Sequence, residues 1–401
     1  MSMLCFLPWT GITERLAFGS FHLAPSGEAF ASGEIPADLR EPVNAVLEAY
    51  GFRRDVDRAR VPLLRHEGLT FTADLTEEQV AEYFEFRTRL AFAALAARQF
   101  FGLRYCNSDN LRLVVQGFTP ERAGGALITS RRRDGEQRSI VPRGSLRVAR
   151  PFHVVPTCEL PRDLDSALLQ VLELARQRGA PDWLQLEEAI RLFVGANTDS
   201  PDVGVHADLV DTVSAFSRLA GAWDENGTVD WFLAALPPPA ESDAEQYGRR
   251  GEEDRLREAL ANGRSVRAAW LRDAYILRSQ YSHGHVGTPP YRPTWSVHEH
   301  LLLSSVALPL TLKAILAREG FYTLTDMDVV LDNAFDTLAT LQQFGADEDE
   351  QEEMSHPWRD VISRISLRPL ANALAAALRA EAEAEAQGAG QPDDPQGEAS
   401  E

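Results

Sequence analysis

Two residues with complementary chemistry, Arg278 and His283, stand five positions apart near the end of a predicted helix. The guanidinium of arginine is a permanent cation whose planar donors match phosphate oxygens, and imidazole titrates near neutral pH and can transfer a proton. The partial negative charge at a helix C-terminus favours the protonated imidazole. Such a pair suits metal-free cleavage of RNA by its own 2′-hydroxyl, in which histidine moves protons and arginine stabilises charge on the reacting phosphate.

The helix that carries the pair is predicted from the apolar residues around it. Five of them follow one another at spacings of 4, 4, 3 and 4 and form one buried stripe: Val266, Trp270, Ala274, Leu277 and Tyr281. Five residues of ideal helix turn through ~500°, which places Arg278 and His283 about 140° apart. They cannot share one helix face unless the last turn frays or kinks. A pair that merely caps the helix end is the structural alternative.

The residues around the pair resemble a known motif. The string YILRSQYSHG, residues 275–284, is similar to the motif of HEPN domains, helical modules linked to nucleic acids. Tyr275, Ser279 and Gly284 resemble specifically the Apea-type HEPN subfamily of bacterial defence proteins. The likeness is close over these ten residues, and over residues 165–385 it extends only to the pattern of helices.

This resemblance implies a metal-independent endoribonuclease. It assigns Arg278 and His283 as catalytic residues, with Ser279 as their polar neighbour, and we expect Tyr275, Gly284 and His285 to support them. HEPN-type proteins work as dimers, so the resemblance also implies a homodimer formed through the helical domain. A twofold axis could place the arginine of one chain beside the histidine of the other, which overcomes their separation within one helix.

One position departs from the family pattern. Related sequences tend to place a glutamate in an earlier helix, and residues 215–219 of this chain offer Ser217 there. If that glutamate orients the catalytic pair, the protein binds RNA or dimerises without cutting it. A non-catalytic dimerisation or nucleic-acid-binding module is therefore the alternative function.

The charge pattern places the expected RNA contacts on the same helix. The net charge of −20 argues against uniform binding of nucleic acid, but residues 345–401 carry 14 acidic residues against 4 arginines and thus half of that charge. Residues 249–283 carry 8 arginines against 5 acidic residues, a net charge of +3. We expect Arg264, Arg267 and Arg272 to contact the RNA backbone there.

Several other functions lack support in the sequence. The 40 basic residues comprise 39 arginines and one lysine, Lys313, so no phosphate-binding Gly-Lys loop exists, and no nucleophile elbow or dinucleotide fingerprint occurs. The rival interpretation is a metal-binding regulatory protein, because four histidines fall within 18 residues: His283, His285, His298 and His300. Their spacing does not match a helical zinc motif, and we interpret His298 and His300 as surface residues near a helix start. We expect no metal and no cofactor.

The sequence also suggests a location. The three cysteines are far apart along the chain, as suits a reducing cytoplasm. The N-terminus lacks the basic region of a signal peptide, and the most apolar stretch, residues 301–316, is shorter than the ~20 residues of a spanning helix. We therefore expect a cytoplasmic protein with no membrane partner.

The pattern of elements changes near residue 160. Residues 1–160 predict an α+β domain that senses or recruits something, with strands at 4–7, 15–23, 69–73, 111–118, 126–129 and 139–141. A capping box of Thr76 and Gln79 predicts one strong helix there, ending before Gly102. Residues 165–386 predict an all-α, HEPN-like bundle, with helices at 164–178, 182–197, 205–222, 229–236, 252–261, 265–282, 297–319, 326–344 and 358–386. Residues 387–401 read as a disordered acidic tail.

Overall fold

The computed structural model describes residues 2–50, 57–100, 104–118, 126–141, 147–155, 158–180, 182–222, 224–238, 254–283 and 291–340. The strands are β1 (Ser2–Phe6), β2 (Gly11–Ile12), β3 (Leu16–Phe18), β4 (Phe21–Pro25), β5 (Pro62–His66), β6 (Val114–Phe118), β7 (Ala126–Arg132), β8 (Gly135–Val141) and β9 (Glu159–Leu160). The helices are α1 (Ser26–Ala31), α2 (Arg40–Ala49), α3 (Glu77–Ala97), α4 (Ser166–Arg178), α5 (Trp183–Ala196), α6 (Val205–Ala220), α7 (Glu225–Ala235), α8 (Asp254–Ala261), α9 (Val266–His283), α10 (Val297–Arg318) and α11 (Asp326–Thr340). The predicted order of an α+β part followed by a helical part is confirmed.

The N-terminal part is built on an antiparallel sheet of seven strands in the order β3-β4-β5-β1-β6-β7-β8. Alternate residues of β1 point to opposite faces, as the pleat requires. Leu4 and Phe6 join a hydrophobic cluster with α2, whereas Cys5 joins the larger cluster that contains α3. The sheet is therefore covered on both faces.

Several details of the N-terminal part differ from the sequence prediction. The predicted strand at 69–73 is wrong, because Gly68 takes a positive φ of 79° and turns the chain away after β5. The apolar residues of that segment are buried nevertheless, since Phe71 is 2% exposed and packs in the cluster with α2. The short helices α1 and α2 were not predicted. The predicted hairpin is confirmed, and β7 and β8 are longer than expected.

Helix α3 links the sheet to the helical part. Its start is the predicted capping box, in which the Thr76 hydroxyl accepts from the Gln79 amide at 3.2 Å and the Gln79 side chain accepts from the Thr76 amide at 2.9 Å. Arg89 on this helix is 1% exposed, and its Nε lies 2.5 Å from Glu173 Oε1 of α4. Its Nη1 donates to Glu187 of α5 at 3.3 Å. A buried ionic contact thus ties α3 to two helices of the second part.

The two parts share one hydrophobic core. A single cluster of buried side chains runs from the sheet through α3 into α4, α5, α6, α9, α10 and α11. The eight helices predicted between residues 164 and 344 are all present, with bounds that agree within four residues. The ninth predicted helix, 358–386, and the acidic tail lie outside the described residues.

Helix α10 is the centre of the helical part. It is the one helix among the described ranges that is long and apolar enough to cross a membrane, but 72% of its most apolar window is buried inside the protein. Lys313 on α10 is 4% exposed, and its Nζ lies 2.8 Å from both Asp165 Oδ2 and Asp328 Oδ1. A buried amine with two carboxylate partners suits a helix of the protein core.

We expect Glu173→Gln to lower the free energy of unfolding by about 3–5 kcal/mol, because it leaves the buried Arg89 guanidinium without its main counter-charge. Urea denaturation followed by circular dichroism measures this change. Glu188→Gln is the matched control, since Glu188 pairs with Arg218 at the surface and is 38% exposed; it should cost less than about 1 kcal/mol. Equal effects of the two substitutions would contradict the role assigned to Glu173.

A candidate anion site on helix α9

The first turn of α9 is anchored by Arg267, which lies inside the protein. This side chain is 1% exposed; its Nε donates to Asp336 Oδ2 at 2.9 Å and its Nη1 to Asp332 Oδ1 at 2.7 Å. Further donors reach the backbone carbonyls of Asp332, Leu236 and Pro237. The prediction that Arg267 contacts RNA is wrong, because α11 and the end of α7 already bind its guanidinium.

The middle of α9 is anchored by Asp273. Its carboxylate is 4% exposed, and it accepts hydrogen bonds from the backbone amides of Thr294 and Trp295 at 3.2 Å each. Tyr291 donates its hydroxyl to the same group, and His300 Nε2 lies 3.0 Å from Oδ2. The loop that precedes α10 and the start of α10 are therefore fixed to α9.

His300 is not a surface residue as the sequence suggested. It is 0% exposed and lies between Trp270 and Trp295 against Asp273. In the described part of the chain, no group of three or more His, Cys, Asp or Glu side chains could hold a metal ion. The side chain of His283 and all of His285 lie outside the described residues, so two of the four histidines of the metal hypothesis are not placed.

Arg278 has a different environment from the other charged residues of α9. It is half-buried, its Nη2 lies 3.5 Å from Ser214 Oγ of α6, and its guanidinium carbon lies 5.8 Å from the centre of the Tyr275 ring. Its buried Nε has no hydrogen-bond partner. No carboxylate of the described residues comes within 4.0 Å of it. The guanidinium is thus held in place by neutral groups and keeps donors for an anion.

His283 is the last residue of α9, so the helix continues without a break through the motif. Arg278 and His283 therefore lie on one continuous helix. Along an ideal helix these two residues are separated by ~7.5 Å of axial rise and about 140° of rotation. Ser279 is half-buried beside Arg278, and Gly284 lies outside the described residues.

Two residues of α6 complete the surroundings of the motif, and sequence reasoning missed both. Ser214 contacts Arg278, and His206 contacts Tyr281 with ring centres 4.0 Å apart and ring planes tilted by 57°. Both lie more than sixty positions from their partners, and no local spacing signals such contacts. Ser217, at the position where related sequences tend to carry glutamate, instead lies 3.3 Å from the Thr228 hydroxyl of α7.

The other two arginines predicted to contact RNA, Arg272 and Arg264, differ in how accessible their side chains are. Arg272 is 23% exposed, and its guanidinium lies 2.5 Å from Glu225 and 2.8 Å from Asn226. Arg264 is exposed at the turn before α9. Of the three arginines, Arg264 has the side chain most accessible to solvent, and Arg272 would have to exchange a surface ion pair for a phosphate.

Comparison with known protein families, with curated proteins and with solved structures finds no match to this chain. The function is therefore argued from the geometry of α9 and α6 and from the motif in the sequence.

The contrast between the arginines of α9 predicts effects of different size on stability. Arg267→Met should lower the free energy of unfolding by about 3–5 kcal/mol, because it leaves the carboxylate of Asp336 buried without a partner. Arg278→Met should change it by less than about 1 kcal/mol, since methionine keeps the packing of the apolar stem and no ion pair is lost. Arg264→Met is the exposed control. Chemical denaturation measures all three, and a large loss in Arg278→Met would mean that this arginine serves the fold.

Proposed function

We propose that the protein is a metal-independent endoribonuclease of HEPN type, acting in bacterial defence or toxin-like RNA cleavage. The observation that supports this proposal is the environment of Arg278: a half-buried guanidinium, oriented by Ser214 and Tyr275, without a carboxylate partner in the described structure. A partly desolvated cation without a counter-ion interacts more strongly with an anion than a hydrated surface arginine does. A phosphodiester supplies that anion.

The chemistry requires no group beyond those of the motif. A neutral imidazole of His283 removes the proton from the 2′-hydroxyl of RNA, and the 2′-oxygen forms a bond to the adjacent phosphorus. The bond from phosphorus to the 5′-oxygen of the next nucleotide breaks, and the imidazole of His283, protonated by the 2′-hydroxyl, gives that oxygen the proton. Arg278 stabilises the additional negative charge on the phosphate oxygens in the transition state. The products are a 2′,3′-cyclic phosphate and a 5′-hydroxyl.

The unbroken helix supports a site shared between two chains. Because α9 stays helical through His283, one chain directs the backbone positions of Arg278 and His283 to different faces. In a homodimer with the two α9 helices facing each other across a twofold axis, Arg278 of one chain can act with His283 of the other. We therefore propose that the homodimer is the active form.

A second candidate function has its own support. The position expected to carry a glutamate is Ser217, and it contacts α7 rather than Arg278. If catalysis by such a site depends on a carboxylate that orients the histidine, this chain would bind RNA or dimerise without cleaving it. Retention of RNA binding without cleavage in the wild-type protein would favour this function.

We expect the purified protein to cleave RNA in the presence of EDTA and to leave cyclic phosphate and 5′-hydroxyl ends. Arg278→Ala and His283→Ala should each reduce the rate by roughly 10²–10⁴, because each removes a group that acts in the transition state. Gel analysis of labelled RNA and of its end groups measures both effects. Arg191→Ala, which removes an arginine of α5 that is 66% exposed and lies outside the motif and the predicted RNA contacts, should keep most of the activity. Cleavage that requires an added metal ion would contradict the mechanism.

Mixing the two inactive variants tests the shared site. In a dimer of one Arg278→Ala chain and one His283→Ala chain, one composite site retains both wild-type residues, so activity should return to as much as half of the wild-type rate per dimer. Differently tagged chains, co-purified to isolate the heterodimer, provide the sample. An inactive heterodimer would exclude the shared site, whereas activity of single variants near wild type would exclude the catalytic assignment.

A further inference from the structure

One cavity is lined by none of the motif residues 275–284; it has a volume of about 860 Å³ and lies where α6 begins. The segment after α3 forms one wall, the residues between α5 and α6 form the second, and α10 forms the third. We call it the α6 cleft. Its polar lining includes Arg98, Tyr105, Asp199 and Asp208, and its apolar lining includes Leu301 and Leu302.

The carboxylate of Asp208 has no partner in this cleft. Asp208 lies in the first turn of α6 and is 7% exposed, and no side-chain hydrogen bond or ion pair joins it to another described residue. Burial, reinforced by the charges of Asp211 and Asp199, raises its pKa to about 6. At neutral pH it is therefore an ionised, largely desolvated group. Such a group is costly unless a ligand compensates it.

A second carboxylate of the cleft is held in a fixed position. Asp199 accepts the hydroxyl of Tyr105 at 2.8 Å and the side-chain amide of Asn107 at 2.8 Å. Both donors are neutral, so neither contact is an ion pair. The two acids are close enough for Asp199 to raise the pKa of Asp208. The cleft therefore presents two carboxylates to whatever enters it.

Arg98 is the arginine of the cleft lining, and its charge interacts with that of Asp199. Its Nη2 donates to the side-chain oxygen of Asn197, and its guanidinium stacks over the Phe100 ring at 4.6 Å. No ion pair joins it to either acid in the regions that the structure describes. The lining thus combines an excess of negative charge with the apolar side chains of Leu301 and Leu302 on α10.

We propose that the α6 cleft binds an aliphatic diamine or polyamine, whose ammonium groups pair with Asp208 and Asp199 while its methylene chain lies along Leu301 and Leu302. An ammonium supplies the counter-charge that Asp208 lacks, and the excess of carboxylates disfavours an anionic ligand. A flexible chain of methylenes can adapt to the separation of two acids and bury its apolar surface on α10. The inference is independent of RNA cleavage and would stand if the protein had no nuclease activity.

The test is calorimetric titration of RNA-free, full-length protein with spermidine. We expect saturable binding at pH 7.5 that Asp208→Asn weakens at least tenfold. Asp211→Asn is the matched control: Asp211 lies on the same helix and has a raised pKa, but it does not line the cleft. It should change the affinity less than twofold. The diacid glutarate, similar in length to a diamine but opposite in charge, should not bind.

Acidification gives a second measurement. Because the pKa of Asp208 is raised to about 6, lowering the pH from 7.5 to 5 protonates it and should weaken spermidine binding roughly tenfold. Asp199, Asp211, Arg98, Tyr105 and His298 are the other titratable or charged groups near Asp208 or in the lining. All of these groups are still present in Asp208→Asn. Any pH dependence of binding that this variant loses is therefore due to Asp208.

Three results would overturn the proposal. One is the absence of spermidine binding to the wild-type protein, and another is unchanged affinity in Asp208→Asn. The third is an equal loss in Asp208→Asn and Asp211→Asn, which would indicate general attraction to an acidic surface. Thermal melting should show that Asp208→Asn is folded, because the substitution removes an unpaired charge and breaks no contact of the native structure.

Discussion

Buried ionic anchors fix helix α9, and the rest of the helical part is arranged around them. Arg267 binds Asp332 and Asp336 of α11, and Asp273 binds His300 together with the backbone before α10. Breaking either set leaves a charge in the core, so each anchor permits essentially one position of α9 relative to its neighbours. The position of Arg278 follows from these anchors, since it lies on the same rigid helix.

Helix α6 is the other element on which the candidate site depends. Ser214 and His206 of α6 contact Arg278 and Tyr281 of α9, while Asp208 in its first turn lines the α6 cleft. The segment that leads into α6 is joined to the N-terminal part, because Asn197 accepts from the Ser108 amide at 2.9 Å. The N-terminal part therefore supports the site-bearing helices directly, in addition to the contact between Arg89 and Glu173.

The sequence predicts this architecture best where the signals are local. Apolar periodicity predicted the helices of the second part, and the capping box at Thr76 marks a helix start that the structure shows. Alternation of apolar residues failed at 69–73, where a buried turn produces the same pattern as a strand. The α+β and helical parts were separable in sequence, but their continuous core was not visible because it is made by contacts between distant segments.

In the candidate site, too, the sequence predicts local features and misses those made by contacts between distant segments. The motif itself and the separation of Arg278 and His283 along α9 are local properties, and the helical course of the chain through His283 agrees with them. The burial of Arg267 and of His300 depends on acids 65–69 and 27 positions away, respectively, so nothing in the neighbouring sequence marks these residues as structural. An arginine in a basic stretch of sequence can therefore be a buried residue that pairs with acids of the core.

The single lysine has a consequence for chemical labelling. Lys313 is the only lysine of the chain, and its amine lies inside the protein between Asp165 and Asp328. An acylating reagent therefore finds no accessible lysine on the folded protein and can reach this one only when α10 separates from its neighbours. The rate at which Lys313 is acylated thus reports how often the centre of the helical part opens, without any label introduced by mutation.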